Sequence, residues 1–135
     1  MSKKYFLLIL IPVLFGFLYW GNIKPLRASQ IAGKGYSKKA ISYNTFINHE
    51  IRKGVAKKSF ESEDVELVLF ALDQMEQNIE ERPLDAKSYI LLTYLYYRLG
   101  QNDKALQAAK KALKLAPNRP DVQELYKNLE QGEGL

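Results

Sequence analysis

The chain contains no cysteine and only one histidine, His49, in 135 residues. Without thiols there is neither a disulfide framework nor a thiolate metal site, and a lone histidine excludes a multi-histidine one. The stretch "HEIRK" at 49–53 opens like a metalloprotease helix, but a second histidine four residues on is missing. His49 therefore reads as an ordinary helix residue. Nor is there a phosphate-binding loop, because Gly33-Lys34-Gly35 lacks the G-x-x-x-x-G-K-[ST] spacing. No nucleophile stands beside a base, and the paired acids Glu80-Glu81 fall at a helix end, where solvated charge is the ordinary explanation. These absences point to a non-catalytic chain with no cofactor and no metal.

Acidic side chains are scarce in the first half. Between Lys24 and Lys58 nine basic residues face Glu50 alone, a balance of +8, whereas from Ser59 onward nine basic residues face fourteen acidic ones, a balance of −5. The basic excess at 24–58 adjoins an apolar run, where anionic lipid phosphates would meet it. Nucleic acid is not expected as a partner, since no interleaved basic and aromatic platform or recognition-helix pattern accompanies the charge.

The apolar run, Tyr5 to Ile23, is nineteen residues without a charge. As a helix it spans close to about 30 Å, the thickness of a bilayer core. Tyr5 at one end and Tyr19-Trp20 at the other suit the membrane interfaces, and Pro12 and Gly16 are tolerated in transmembrane helices. A cleaved signal peptide is the rival reading, but no small-x-small site follows, so residues 1–23 are expected to be an uncleaved single-pass anchor. Five basic residues (Lys24, Arg27, Lys34, Lys38, Lys39) follow the span and Lys3-Lys4 precede it. The positive-inside rule therefore favours a cytoplasmic tail over an extracytoplasmic one.

After the span, 24–38 reads as a basic juxtamembrane helix and linker, with Asn22 as cap, Pro25 in the first turn and an end at Gly33 or Gly35. Tyr43, Phe46, Ile47, Ile51 and Val55 recur at helical spacing and predict one helix from about Lys39 to Lys57. Ser62 is the expected N-cap of a helix over Glu63–Glu81 with the stripe Leu67, Phe70, Ala71, Met75 and Ile79, stopped by Pro83. Asp85 caps the next helix, which ends at Gly100. Asn102 or Asp103 caps another, with Ala105, Leu106, Ala109, Ala112 and Leu113 inward, ending before Pro117. A last helix over about 120–131 carries Val122, Leu125 and Leu129, and 132–135 is expected to fray.

A shift of 34 residues puts Ala71 on Ala105, Leu72 on Leu106, Ile79 on Leu113 and Pro83 on Pro117. A period of 34 with paired antiparallel helices marks a tetratricopeptide (TPR) array. Residues 86–119 resemble one such repeat: Tyr89 stands at the large first-helix position, followed by Leu92 and Tyr96. Gly100 is at the turn, Ala105 and Ala112 are the small packing residues, and Pro117 closes the unit. Thr93 and Ala109 depart from the usual glycine and aromatic. The copy at about 39–83 is degenerate in its first helix. The resemblance implies an all-α fold in which an N-terminal transmembrane helix precedes a short helical-hairpin array over 39–131 with a C-terminal capping helix.

The same resemblance decides how the apolar stretch "YILLTYLYYRLG" (89–100) is read. Twelve helical residues cover only about 18 Å, too short for a second span. Tyr89, Leu92, Tyr96 and Leu99 are expected to pack on Ala105, Ala109 and Ala112. Ile90, Tyr94, Tyr97 and Arg98 then lie on the other side, facing a groove for a protein or peptide partner or packing on the preceding helices. The expected function is a membrane-anchored scaffold that binds a protein partner. A second resemblance, of the apolar span running into "YWGNIKPLRASQ" and then repeats, is to the C-terminal end of O-antigen ligase-like membrane proteins. It implies an accessory or detached tail of a glycan-assembly protein and supplies no catalytic residue.

Overall fold

The structure is a computed structural model that describes residues 3–135, with side chains from Ile9 onward. Among the described residues every regular element is a helix. The chain divides into two compact units, Met1–Ile51 and Arg52–Leu135, whereas the sequence suggests a division at Lys39.

In the first unit, α1 (Lys3–Leu18) passes through a five-residue π turn, Tyr19–Ile23, into α2 (Lys24–Gly33). The expected helix start at Asn22 is therefore not a start; Asn22 lies inside the widened turn and caps nothing. The cause is Pro25, which has no N–H to give the carbonyl of Gly21. Just ahead of it the Lys24 N–H reaches back to the Tyr19 carbonyl, an i to i−5 bond that keeps the helix running. Ile9–Gly33 is consequently one helix long and apolar enough to cross a membrane, and it is almost entirely exposed. The side chains of Lys3, Lys4 and Tyr5, and all of Met1 and Ser2, lie outside the described residues.

The predicted helix over Lys39–Lys57 is two helices, α3 (Ser37–Ile41) and α4 (Asn48–Phe60). Short polar side chains between them offer the backbone an alternative to continuing. Buried Asn48 donates from Nδ2 to the Ile41 carbonyl at 2.9 Å, and its Oδ1 accepts from the N–H of Thr45 at 3.1 Å and its hydroxyl at 3.2 Å. The unit's core is Ala28 and Ala40, both sealed from solvent, with Ile51 and the flanking Ile31, Ile41, Tyr43 and Ile47. Alanine at both contact points lets α2 and α3 approach closely.

In the second unit, α4 is followed by α5 (Val65–Glu81), α6 (Ala86–Arg98), α7 (Asn102–Leu115) and α8 (Pro120–Gln131). Asp64, not Ser62, caps α5: its Oδ1 accepts from the N–H groups of Glu66 at 2.9 Å and Leu67 at 3.3 Å. Ser62 instead accepts from the Asp64 N–H at 3.1 Å and so orients the cap. Asp85 caps α6 as expected, accepting from the Lys87 N–H at 3.1 Å. Asn102 and Asp103 cap nothing; they lie within the first turn of α7, and Gln101 before it makes no side-chain cap bond. At Gly100 (φ 70°) the Gly100 N–H bonds the Tyr97 carbonyl and the Gln101 N–H bonds that of Tyr96, the paired closure that a left-handed glycine permits. Gly132 closes α8 in the same way, with the Glu133 N–H on the Asn128 carbonyl at 2.8 Å.

Helices α6 and α7 run antiparallel. Lys104 lies over the Tyr96 ring near the connecting turn, and Lys111 lies over the Tyr89 ring at the far end. The shared core holds Leu91, Leu92 and Leu95 of α6, Ala105, Ala109 and Ala112 of α7, Met75 of α5, and Val122 and Leu125 of α8. Against expectation, Tyr89 and Tyr96 are only half-buried, their rings reaching outward under the lysines. In α5 the tightest positions are Val68, Ala71, Gln74, Met75 and Asn78; Leu67, Phe70 and Ile79 stay half-buried.

Candidate partner-binding face

The candidate face lies on α6, and α4 runs along one edge of it. Three basic side chains, Arg52, Lys53 and Arg98, join these helices and α5. The Arg52 guanidinium meets Glu81 at 2.7 Å and Gln77 at 3.3 Å. Lys53 meets Asp85 at 2.5 Å, and Asp85 also accepts from the Ser88 hydroxyl at 2.9 Å, which in turn accepts from Asn78 Nδ2 at 2.8 Å. Arg52, Lys53, Ser88 and Asn78 are all buried. Burial by itself raises the pKa of Asp85, but the Lys53 and Ser88 hydrogen bonds and the Lys53 charge outweigh it and hold the carboxyl below the usual carboxylate range.

At the other end Arg98 donates to the carbonyls of Ser59 at 2.7 Å, Phe60 at 2.8 Å and Ser62. These are carbonyls of the last turn of α4 and its exit, groups that a helix leaves unsatisfied and to which a cation is suited. With Lys53 beside Asp85 and Phe60 beside Tyr94, α4 and α6 run parallel. The Phe60 and Tyr94 ring centres are 5.7 Å apart at 55°, within the favourable range for tilted aromatic pairs.

The four side chains on the candidate face have different surroundings. Tyr94 is 39% exposed and rests its ring on Phe60. Ile90 is half-buried. Tyr97, also half-buried, lines a cleft with Leu106, Leu129 and Gly132 from α7 and α8, and a Cβ added at Gly134 would stand 3.6 Å from its hydroxyl. Arg98 spends its guanidinium on the end of α4. Tyr94 and Tyr97, three residues apart, thus look toward opposite neighbours: α4 on one side, α8 on the other.

Phe60 was not among the candidates. It stands 34 residues before Tyr94, the same period that aligns α5 with α7. The interval was there to be found, but the upstream first helix has too little motif to set its register.

The chemistry available here is that of contact. Both ring nitrogens of His49 have near neighbours, Nδ1 at 2.8 Å from the Phe46 carbonyl and Nε2 at 3.4 Å from Glu50. Glu81 is paired with Arg52. Among the described residues no group of three or more metal-ligating side chains assembles. The Tyr96 hydroxyl donates to Glu76 at 2.5 Å, and burial, with that carboxylate beside it, pushes its pKa far above the usual phenol value. It is a fixed strut between α5 and α6. No protein-family model and no curated protein matches the chain.

Proposed function

We propose that the chain is a single-pass, membrane-anchored helical-repeat module of the TPR kind, non-catalytic, which holds a protein partner near the bilayer through the aromatic edge of α6. Two features support the repeat. Helices α4 and α6 are parallel, with the ring pair Phe60 and Tyr94 set 34 residues apart, the interval that also relates α5 to α7. Ala71 and Ala105, equivalent under that shift, are both sealed from solvent.

The observation that carries the binding reading is Tyr94. A large ring kept partly in solvent beside Phe60, with Ile90 one turn before it, suits an apolar helix or extended peptide. Tyr97 is half-buried against α7 and α8, and the exposed Arg98 is tied by hydrogen bonds to the end of α4, so the two shape the edges of the face. The exposed helix Ile9–Gly33 serves as the anchor.

The test places a photoreactive phenylalanine analogue at position 94 and irradiates intact membranes. The expected result is a discrete protein adduct identified by mass spectrometry. It should fade when Phe60→Ala reshapes the edge, while the thermal melt shifts little. Adducts to lipid alone, or none, would falsify the partner reading. Capture of a polytopic glycan transferase would instead favour the accessory role that the second resemblance implies.

A further inference from the structure

We infer that Lys24 and Arg27, backed by Lys34, Lys38 and Lys39, form a collar that docks on the anionic lipid headgroups of the bilayer entered by α1; this rests on the membrane-anchored reading above. The chain has no acidic residue before Glu50, so no carboxylate side chain stands in the helix that carries Lys24 and Arg27. Of the basic residues over 24–58, Arg52 and Lys53 are buried in ion pairs with Glu81 and Asp85 and do not take part. The structure thus removes these two from the candidate lipid-facing charge.

The level of the collar follows from the unbroken helix. The Lys24 ammonium lies 3.9 Å from the centre of the Trp20 ring, and Trp20 is 64% exposed. An exposed indole with a cation on its face belongs at the boundary between acyl chains and headgroups. Arg27 follows about 4.5 Å farther along the axis, at 1.5 Å per residue. The headgroup layer is about 5–7 Å deep on each side, so both cations fall within it.

Orientation is fixed as well. Pro25 and Ala28 are buried, which turns that side of α2 inward. At about 100° per residue Lys24, Arg27 and Lys34 fall within about 80° of one another, on an adjoining side of the wheel. Ile23 and Leu26, both exposed, adjoin the two lower cations in sequence. Bare apolar side chains next to paired cations suit the edge of a bilayer; a nucleic-acid phosphate track gains nothing from them.

Trp20 is the chain's only tryptophan and serves as an energy-transfer donor in the test. The full chain is reconstituted in phosphatidylcholine vesicles carrying about 5 mol % dansyl-phosphatidylserine or dansyl-phosphatidylcholine, and flotation confirms insertion. The expected result is at least about two-fold greater quenching by the serine lipid, lost in about 1 M salt, where the Debye length falls to about 3 Å. In the variant Lys24→Gln, Arg27→Gln, Lys34→Gln the two lipids should quench alike. Equal quenching of the wild-type chain at low salt overturns the collar while leaving the anchor intact. A preference that survives in the variant overturns the assignment to these residues. Failure to float overturns the anchor, and the collar with it.

Discussion

Asp85 shows how much one side chain does here. It caps α6, accepts from buried Ser88 and pairs with buried Lys53. Asp85→Asn keeps an oxygen for the cap but removes the Asp85 carboxylate from the buried Lys53 ammonium, a loss of up to about 3 kcal/mol. Asp85→Ala also removes the cap and should cost about 1 kcal/mol more. Thermal melts of the full chain in mild detergent measure both. Because folding lowers the Asp85 pKa, its stabilisation is complete above the unfolded value of about 3.9. It is lost as pH falls through the lower folded value. Between pH 7 and pH 3 the melting temperature of wild type should therefore fall more than that of Asp85→Asn. Parallel pH curves would show that the Lys53 pair contributes nothing.

At the scale of the element, the α6 and α7 pair is where packing is tightest. Leu92 is 1% exposed and Ala105 is sealed. Leu92→Ala should cost about 2–5 kcal/mol through lost burial and the cavity left behind. Ala105→Leu should cost about 1–3 kcal/mol by forcing the helices apart. If neither moves the urea midpoint, the close pairing is wrong. Most helices were legible because apolar spacing and the breakers Pro83, Gly100 and Pro117 agree. The split between α3 and α4 was not, since the apolar period from Tyr43 to Val55 runs straight through it. What breaks the helix is a local exchange of hydrogen bonds among Ile41, Thr45 and Asn48, which periodicity does not register. The cap moved from Ser62 to Asp64 for a similar reason: both have the right chemistry, and only the backbone path chooses. The candidate face was legible as a set of residues on one helix. Its division was not, because the carbonyls that hold Arg98 and the side chains beside Tyr97 come from α4 and α8, distant in sequence.

At the scale of the whole molecule, charge is sorted along the chain, and that sorting makes topology testable. The basic excess follows the apolar span, and the acidic excess lies beyond Ser59. Orientation depends on basic residues within about 15–20 positions of a span's ends, with acidic residues counting for little. Lys24, Arg27, Lys34, Lys38 and Lys39 lie on one flank, and Lys3 and Lys4 on the other. The larger group should stay in the cytoplasm. A C-terminal tag is then protected from protease added to intact spheroplasts and digested once they are lysed. The margin between the flanks is only a few charges, so it should respond to mutation. Lys24→Gln with Arg27→Gln and Lys34→Gln leaves two basic residues after the span, and a measurable fraction of the tag should become digestible in intact cells. The complementary variant, Lys3→Gln with Lys4→Gln, widens the margin and should give full protection. Digestion of the wild-type tag in intact spheroplasts would put the helical module on the outer face.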